Sequence, residues 1–377
     1  MSFQIAVILT AVSIAAACSL SGIFLVIRRM AMMADAISHS VLPGLVAAYV
    51  IARGPNLLAG ILGAAAAGLL SVVLVEAATR LGKLKNDAAI GLVFPTLFAL
   101  GVLIVSRFYS NVHIDADSVL SGNLEYVALD PIRYAGYNFG PKAMGTGILL
   151  ILFNAIFLKL LWRPLKAASF DQDHTRSQGI STASLHIMLM TLVSITAVGA
   201  FSAVGAIMAV SLIAAPAATA LLLARRMNLI VILTLILAAT GALVGTQAAY
   251  AADLSISGCI AVALGLQFAL AACFAPERGV VSQFLDRRKR RSKFAAEALV
   301  IHLSTHEGTD AYAEESNPAH LSTELGWSPK QIAMALQQAR RRGWVTGTSH
   351  LELTNQGRTR ASQIAADLGL APALASE

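Results

Sequence analysis

Asp35 and His39 stand four residues apart, with long apolar runs on both sides. On a helix that spacing puts them on one face, one turn from each other. A carboxylate oxygen and an imidazole nitrogen together suit a divalent transition metal. An ionisable residue inside a membrane span is costly and marks the path of an ion or proton. The other reading is a packing pair, with Asp35 held by Arg28 or Arg29 at a membrane edge. Three further sets of residues could bind metal. Glu76 precedes Arg80 by four residues, so pairing or snorkelling is its favoured reading. His113, Asp115 and Asp117 alternate in a polar loop, favoured as a solvated loop that touches a partner and otherwise as a relay for metal. His302 and His306 are four apart and followed by Glu307. They are favoured as a solvated pair; the sharper reading is a second, cytoplasmic site that senses metal.

The elements that must position these residues are membrane helices. Of 377 residues 56% are hydrophobic and 13% charged, about half the charged share of a soluble domain. The mean hydropathy is +0.69. Apolar runs lie at 3–27, 31–51, 57–79, 88–107, 142–162, 184–203, 205–224, 229–249 and 255–275. Each approaches the roughly 20 residues a span needs, so about eight or nine spans are expected. The turn between the sixth and seventh runs is expected near Val204 and Gly205, and Pro216 is expected to kink or split the seventh. The first basic residue is Arg28, so 3–27 is read as a retained span and not a signal peptide. Cys18, Cys259 and Cys273 lie in apolar runs with no CxxC spacing, so neither a disulfide framework nor a thiolate metal site is suggested.

Basic clusters at Arg28–Arg29, Arg80–Lys85, Arg163–Lys166, Arg225–Arg226 and Arg287–Lys293 fit one topology, with every cluster cytoplasmic and the N-terminus outside. The loop from Tyr109 to Pro141 then faces out. The chain divides into a membrane part, 1–276, a basic linker beside anionic lipid, 277–291, and a polar cytoplasmic part, 292–377.

The polar part is expected to be α+β. A helix runs over 294–305 and a short one follows Asn317–Pro318. A third, Lys330 to Arg342, has Ser328 as N-cap and Pro329 in its first turn. A hairpin turns at Gly347 and a last helix starts after Thr354. The segments from Leu321 to Ser328, from Arg341 to Trp344 and from Leu353 to Gly357 resemble a winged helix-turn-helix of metal-dependent repressors of the iron and manganese class. Lys330, Gln331, Arg340, Arg341 and Arg342 would be its candidate nucleic-acid or partner contacts. The basic excess is modest and the arginines sit at the far end of the helix, so a regulatory or dimerising role is favoured over DNA.

Four segments of the membrane part resemble one family in order, the metal-ion ABC transporter permeases. Asp35 to Gly44 resembles that family's Asp-Ala-x-Ser-His-x-x-x-Pro-Gly signature. Asn86 to Gly91, Phe170 to Gly179, and Val204 to Met208 leading to Leu212 through Ala220 follow. The resemblance implies an all-α polytopic permease that pairs with a second copy or a paralogue. It also implies two copies of an ATP-binding subunit and an external metal-binding protein. Asp35 and His39 would be the translocation ligands for Mn, Fe or Zn, carried as substrate with no permanent cofactor. Phe170, Asp171, Gln172, Asp173, His174 and Gly179 would couple to the ATPase, with Thr175 where an Ala is common. Pro43, Gly44, Asp87, Gly205 and Pro216 would shape the pore. The chain has no phosphate-binding Gly-x-x-x-x-Gly-Lys-Ser/Thr loop, which fits a subunit whose ATP is hydrolysed elsewhere.

The expected function is thus a bacterial inner-membrane permease subunit of an ATP-driven divalent-metal importer, not itself an enzyme. The alternatives are a cation-coupled secondary metal transporter and a membrane-tethered DNA-binding regulator.

Overall fold

The computed structural model describes residues 2–52, 57–108, 122, 124–134 and 137–367. His113, Asp115 and Asp117 lie outside the described residues. The chain forms two compact units, Met1–Gly279 and Val280–Glu377.

Unit 1 contains α1 (Phe3–Ile27), α2 (Met32–Ala52), α3 (Leu57–Gly82) and α4 (Asn86–Phe108). A 3₁₀ helix, Leu124–Leu129, leads into the antiparallel hairpin β1 (Pro131–Tyr134) and β2 (Tyr137–Pro141). Then come α5 (Lys142–Phe170), α6 (Gln172–Ser177), α7 (Thr182–Leu223), α8 (Met227–Ala252) and α9 (Ile256–Phe274). Among the described residues seven helices are long and apolar enough to cross a membrane. The expected eight or nine runs are all helical. The two outside the seven are α2 and the shorter apolar helix Ile207–Leu223.

The sixth and seventh runs are two helical halves of α7 joined across a sharp bend at Gly205, where φ is 74° and ψ 170° and the expected turn lies. The bend folds the helix back on itself. Leu189 from its first half and Ala217, Ala220 and Ala224 at and just beyond its end pack in one cluster with Phe24 and Leu165. Val204 and Met208, at the bend, sit in a different cluster with Val7 and Leu124. Ser257 donates a hydrogen bond to the Val204 carbonyl at 3.4 Å, which satisfies an acceptor exposed by the break. Pro216 is buried inside the second half, where the backbone stays helical, so the expected split there does not occur. The Arg163–Lys166 cluster is likewise not a loop: α5 runs through it to Phe170.

Small residues set how closely the helices approach. A Cβ on Gly44 of α2 would meet the Gly63 carbonyl of α3 at 2.2 Å, and one on Gly63 would meet the Gly44 carbonyl at 2.4 Å. A Cβ on Gly101 of α4 would lie 3.0 Å from the Pro43 ring. Thus α2 is gripped by α3 and α4 just beyond His39.

Unit 2 is chiefly helical: α10 (Val280–His306), α11 (Tyr312–Glu315), α12 (Leu321–Glu324), α13 (Pro329–Arg341) and α14 (Asn355–Asp367). Its sheet, β3 (Val345–Thr346) with β4 (Glu352–Leu353), has two residues per strand. The winged-helix assignment is not supported by so small a sheet. The basic run Arg287–Arg291 lies inside α10 and is not a separate linker. A core of Leu299, Leu303, Leu321, Ala335, Leu351 and their neighbours holds the unit together.

Candidate metal pathway

The turn between α1 and α2 positions the Asp35–His39 pair. Arg29 takes a left-handed conformation, φ 59°, and the Met30 amide donates back to the Leu25 carbonyl at 2.9 Å. That stops α1 and lets α2 start at Met32. Asp35 therefore lies in the first turn of α2, where the positive end of the helix dipole favours a carboxylate. With α2 starting at Met32, Asp35 is about 5 Å and His39 about 10 Å along it.

His39 Nε2 lies 3.4 Å from Asp35 Oδ1, and the two side chains are 29% and 33% exposed. The imidazole stacks on Phe94 of α4 with centroids 5.4 Å apart and meets the edge of Phe98 at 5.9 Å. These rings fix the imidazole plane and leave the pair part-open. Pro43 lies four residues beyond His39 within the helix. Having no N–H, it leaves the His39 carbonyl without its usual intrahelical donor. The stretch thus offers an imidazole nitrogen, a carboxylate and a carbonyl oxygen.

Other expected residues fall elsewhere. Asp87 is exposed in the first turn of α4. Gly205 marks the bend of α7, at the same end as Ile256, whose amide donates to Glu125 at 3.4 Å. Glu76 is not part of the pair. It lines a cavity of about 320 Å³ with Arg28, Gln172, Arg176 and His186. Arg28 Nε donates to the Ser169 hydroxyl at 3.1 Å, and so ties the α1 terminus to α5.

The segment 170–179 forms the short helix α6 and its caps. Asp171 is the N-cap, its carboxylate accepting the His174 amide at 2.8 Å. Gly179 follows the helix with φ 78°. Phe170, Gln172, Asp173 and His174 are exposed. Thr175 is fully buried, its hydroxyl donating to the Asp171 carbonyl at 2.7 Å, so the Thr is accommodated inward. A rigid turn with exposed polar and aromatic side chains is suited to docking on another protein.

In unit 2, His302 and His306 come together with Glu315, a residue the sequence reading missed. Glu307, the acidic neighbour in sequence, is bound by Arg358 at 2.8 Å instead. Burial holds the His302 imidazole below its usual pKa, outweighing the nearby Glu315. Of the candidate nucleic-acid contacts, Gln331 accepts the Ser328 amide at 2.9 Å in a capping box. Arg340 donates to the Gly347 carbonyl at 2.7 Å and Arg342 lies over the Trp344 ring. Lys330 and Arg341 are exposed.

Residues 1–275 match the ABC 3 transport family. The chain belongs to that family. One relative is the zinc transport system membrane protein TroD of Treponema pallidum, 38% identical over 339 residues, 90% of this chain and 92% of that protein. A second is the manganese transport system membrane protein MntD of Bacillus subtilis, 36% identical over 76% of this chain and 96% of its own length. A solved structure, PsaBC from Streptococcus pneumoniae in complex with Fab, superposes with a TM-score of 0.60 at 25% identity, covering 76% of this chain and 96% of that one. The ABC 3 match lies within unit 1, whereas the likeness to TroD is long enough to extend into unit 2.

Proposed function

We propose that the chain is the membrane permease subunit of an ATP-driven importer of a divalent metal, Mn, Fe or Zn, and that the ion passes Asp35 and His39. The observation that carries the reading is the 3.4 Å pair, part-open on a helix clamped by its neighbours, in a family with zinc- and manganese-transport relatives. A carboxylate and an imidazole bind any of these ions. Two side chains leave the shell incomplete. Water, the His39 carbonyl or a second permease copy, identical or paralogous, completes it, and the incompleteness lets the ion leave again.

The multi-pass unit sits in the bacterial inner membrane, between an external metal-binding protein and two ATP-binding subunits. The exposed segment from Phe170 to Gly179 is the element on which an ATP-binding subunit docks. The relation to PsaBC supports assembly with partners. Unit 2 takes a regulatory or dimerising role. Two of its arginines and Gln331 are engaged within the unit, which leaves little of the expected helix face for DNA.

The test is uptake in cells deprived of their own Mn, Fe and Zn importers and given this chain with its partner subunits. ATP-dependent accumulation of one of the three ions, competed by that ion above the others, is expected. Accumulation driven by a proton gradient in membranes without ATP would contradict it.

A further inference from the structure

We infer that unit 2 carries a binding site for a divalent transition-metal ion, formed by His302 and His306 of α10 and Glu315 of α11. One ligand atom from each lies within 4.8 Å of the other two. The closest pair, His302 Nε2 and Glu315 Oε2, is 3.1 Å apart. Two ligands at about 2.0–2.1 Å from a tetrahedral ion stand roughly 3.3 Å from each other. This pair is therefore already at ligand spacing, with a His306 nitrogen within 4.8 Å of both.

A second observation points the same way. His302 Nε2 and Glu315 Oε2 are both buried, yet neither has an aligned hydrogen bond despite their closeness. Their side chains are 11% and 12% exposed. Buried polar atoms are expected to be satisfied, and a buried carboxylate is costly without a cation. Among the described residues no Lys or Arg forms an ion pair with Glu315. Its other oxygen faces His320 Nε2 at 3.7 Å. A cation between His302, His306 and Glu315 would bind both of these facing atoms at once.

The donors set the ion's class. Two imidazole nitrogens and one carboxylate, with a position left for water or His320, match Zn²⁺ and its first-row neighbours. Hard oxygen-seeking Mg²⁺ and Ca²⁺ are excluded by the two nitrogens. The ion would tie the end of α10 to α11 across the 307–311 loop, so occupancy is coupled to the order of that part of the unit.

The experiment uses the full chain in detergent with Co²⁺ as a coloured probe and Zn²⁺ as competitor. The variant D35A/H39A removes the membrane pair, so this inference can fail independently of the transport reading, and the unit 2 substitutions assign the remaining binding. One Co²⁺ per chain with a tetrahedral absorption band, displaced by Zn²⁺, is expected in that variant. Adding Glu315→Gln, which keeps size and removes charge, or His302→Gln should weaken binding at least about tenfold and remove the band. Zn²⁺ should slow proteolysis of the 307–311 loop only where the three ligands are present. No Co²⁺ bound by D35A/H39A overturns the inference. So does an unchanged band in both the Glu315→Gln and His302→Gln forms, a result that requires no variant to unfold.

Discussion

In the proposed pathway Asp35 and His39 would act through two properties that can be altered separately, the donor atoms and the ring stacking that orients one of them. Replacing Phe94 by Leu keeps an apolar side chain but removes the stacked face. Such ring contacts are worth about 0.5–1.5 kcal/mol, so a several-fold loss of metal affinity is expected with the protein still folded, read by metal titration of the purified chain. The donor pair itself was legible in the sequence because its spacing is local, one helical turn. Phe94 and Phe98 were not, since nothing in the spacing of α4 says that it packs on His39. Glu315 was hidden for the same reason. The acidic residue adjacent to His306 in sequence is Glu307, but Arg358 of α14 takes that carboxylate, and the loop after it carries Glu315 back to His302.

At the scale of elements, the bend in α7 and the caps of α6 make the sharpest expectations. Gly205 has φ 74° and ψ 170°, a region essentially closed to residues with a Cβ, at a cost of about 1–3 kcal/mol. Gly205→Ala should therefore lower the thermal stability of the purified protein by that order. Pro216→Ala, at a position where the helix continues, should not reproduce the bend defect. Asp171→Ala removes the N-cap of α6, worth about 1 kcal/mol. Stimulation of the partner ATPase by the permease should fall while the membrane unit stays folded. Gly205 was readable as a turn, since Gly alone suits such a conformation. Pro216 was misread as a break because neighbouring helices stabilise a proline inside a packed helix. The basic run at 287–291 was readable as charge but not as a boundary, because Arg and Lys are good helix formers and α10 runs through them.

For the whole molecule, the division at Gly279 separates a unit that matches the ABC 3 transport family from one with its own core. MntD is matched over 96% of its length by 76% of this chain, so that relative has no counterpart to the remaining quarter of this chain. A chain ending at Gly279 should insert and retain ATP-dependent uptake in the same cells. Loss of uptake by a properly inserted truncation would place unit 2 in transport itself.

The claim that the ion passes Asp35 and His39 is tested most directly in liposomes holding the assembled importer, with ATP supplied to the ATPase and metal to the external binding protein. Even outer-shell partners of metal ligands are worth about 10- to 100-fold, so Asp35→Ala and His39→Ala should each reduce the initial rate of metal accumulation at least that far while ATPase subunits remain bound. Wild-type accumulation by either variant, assembled and inserted, would contradict the account.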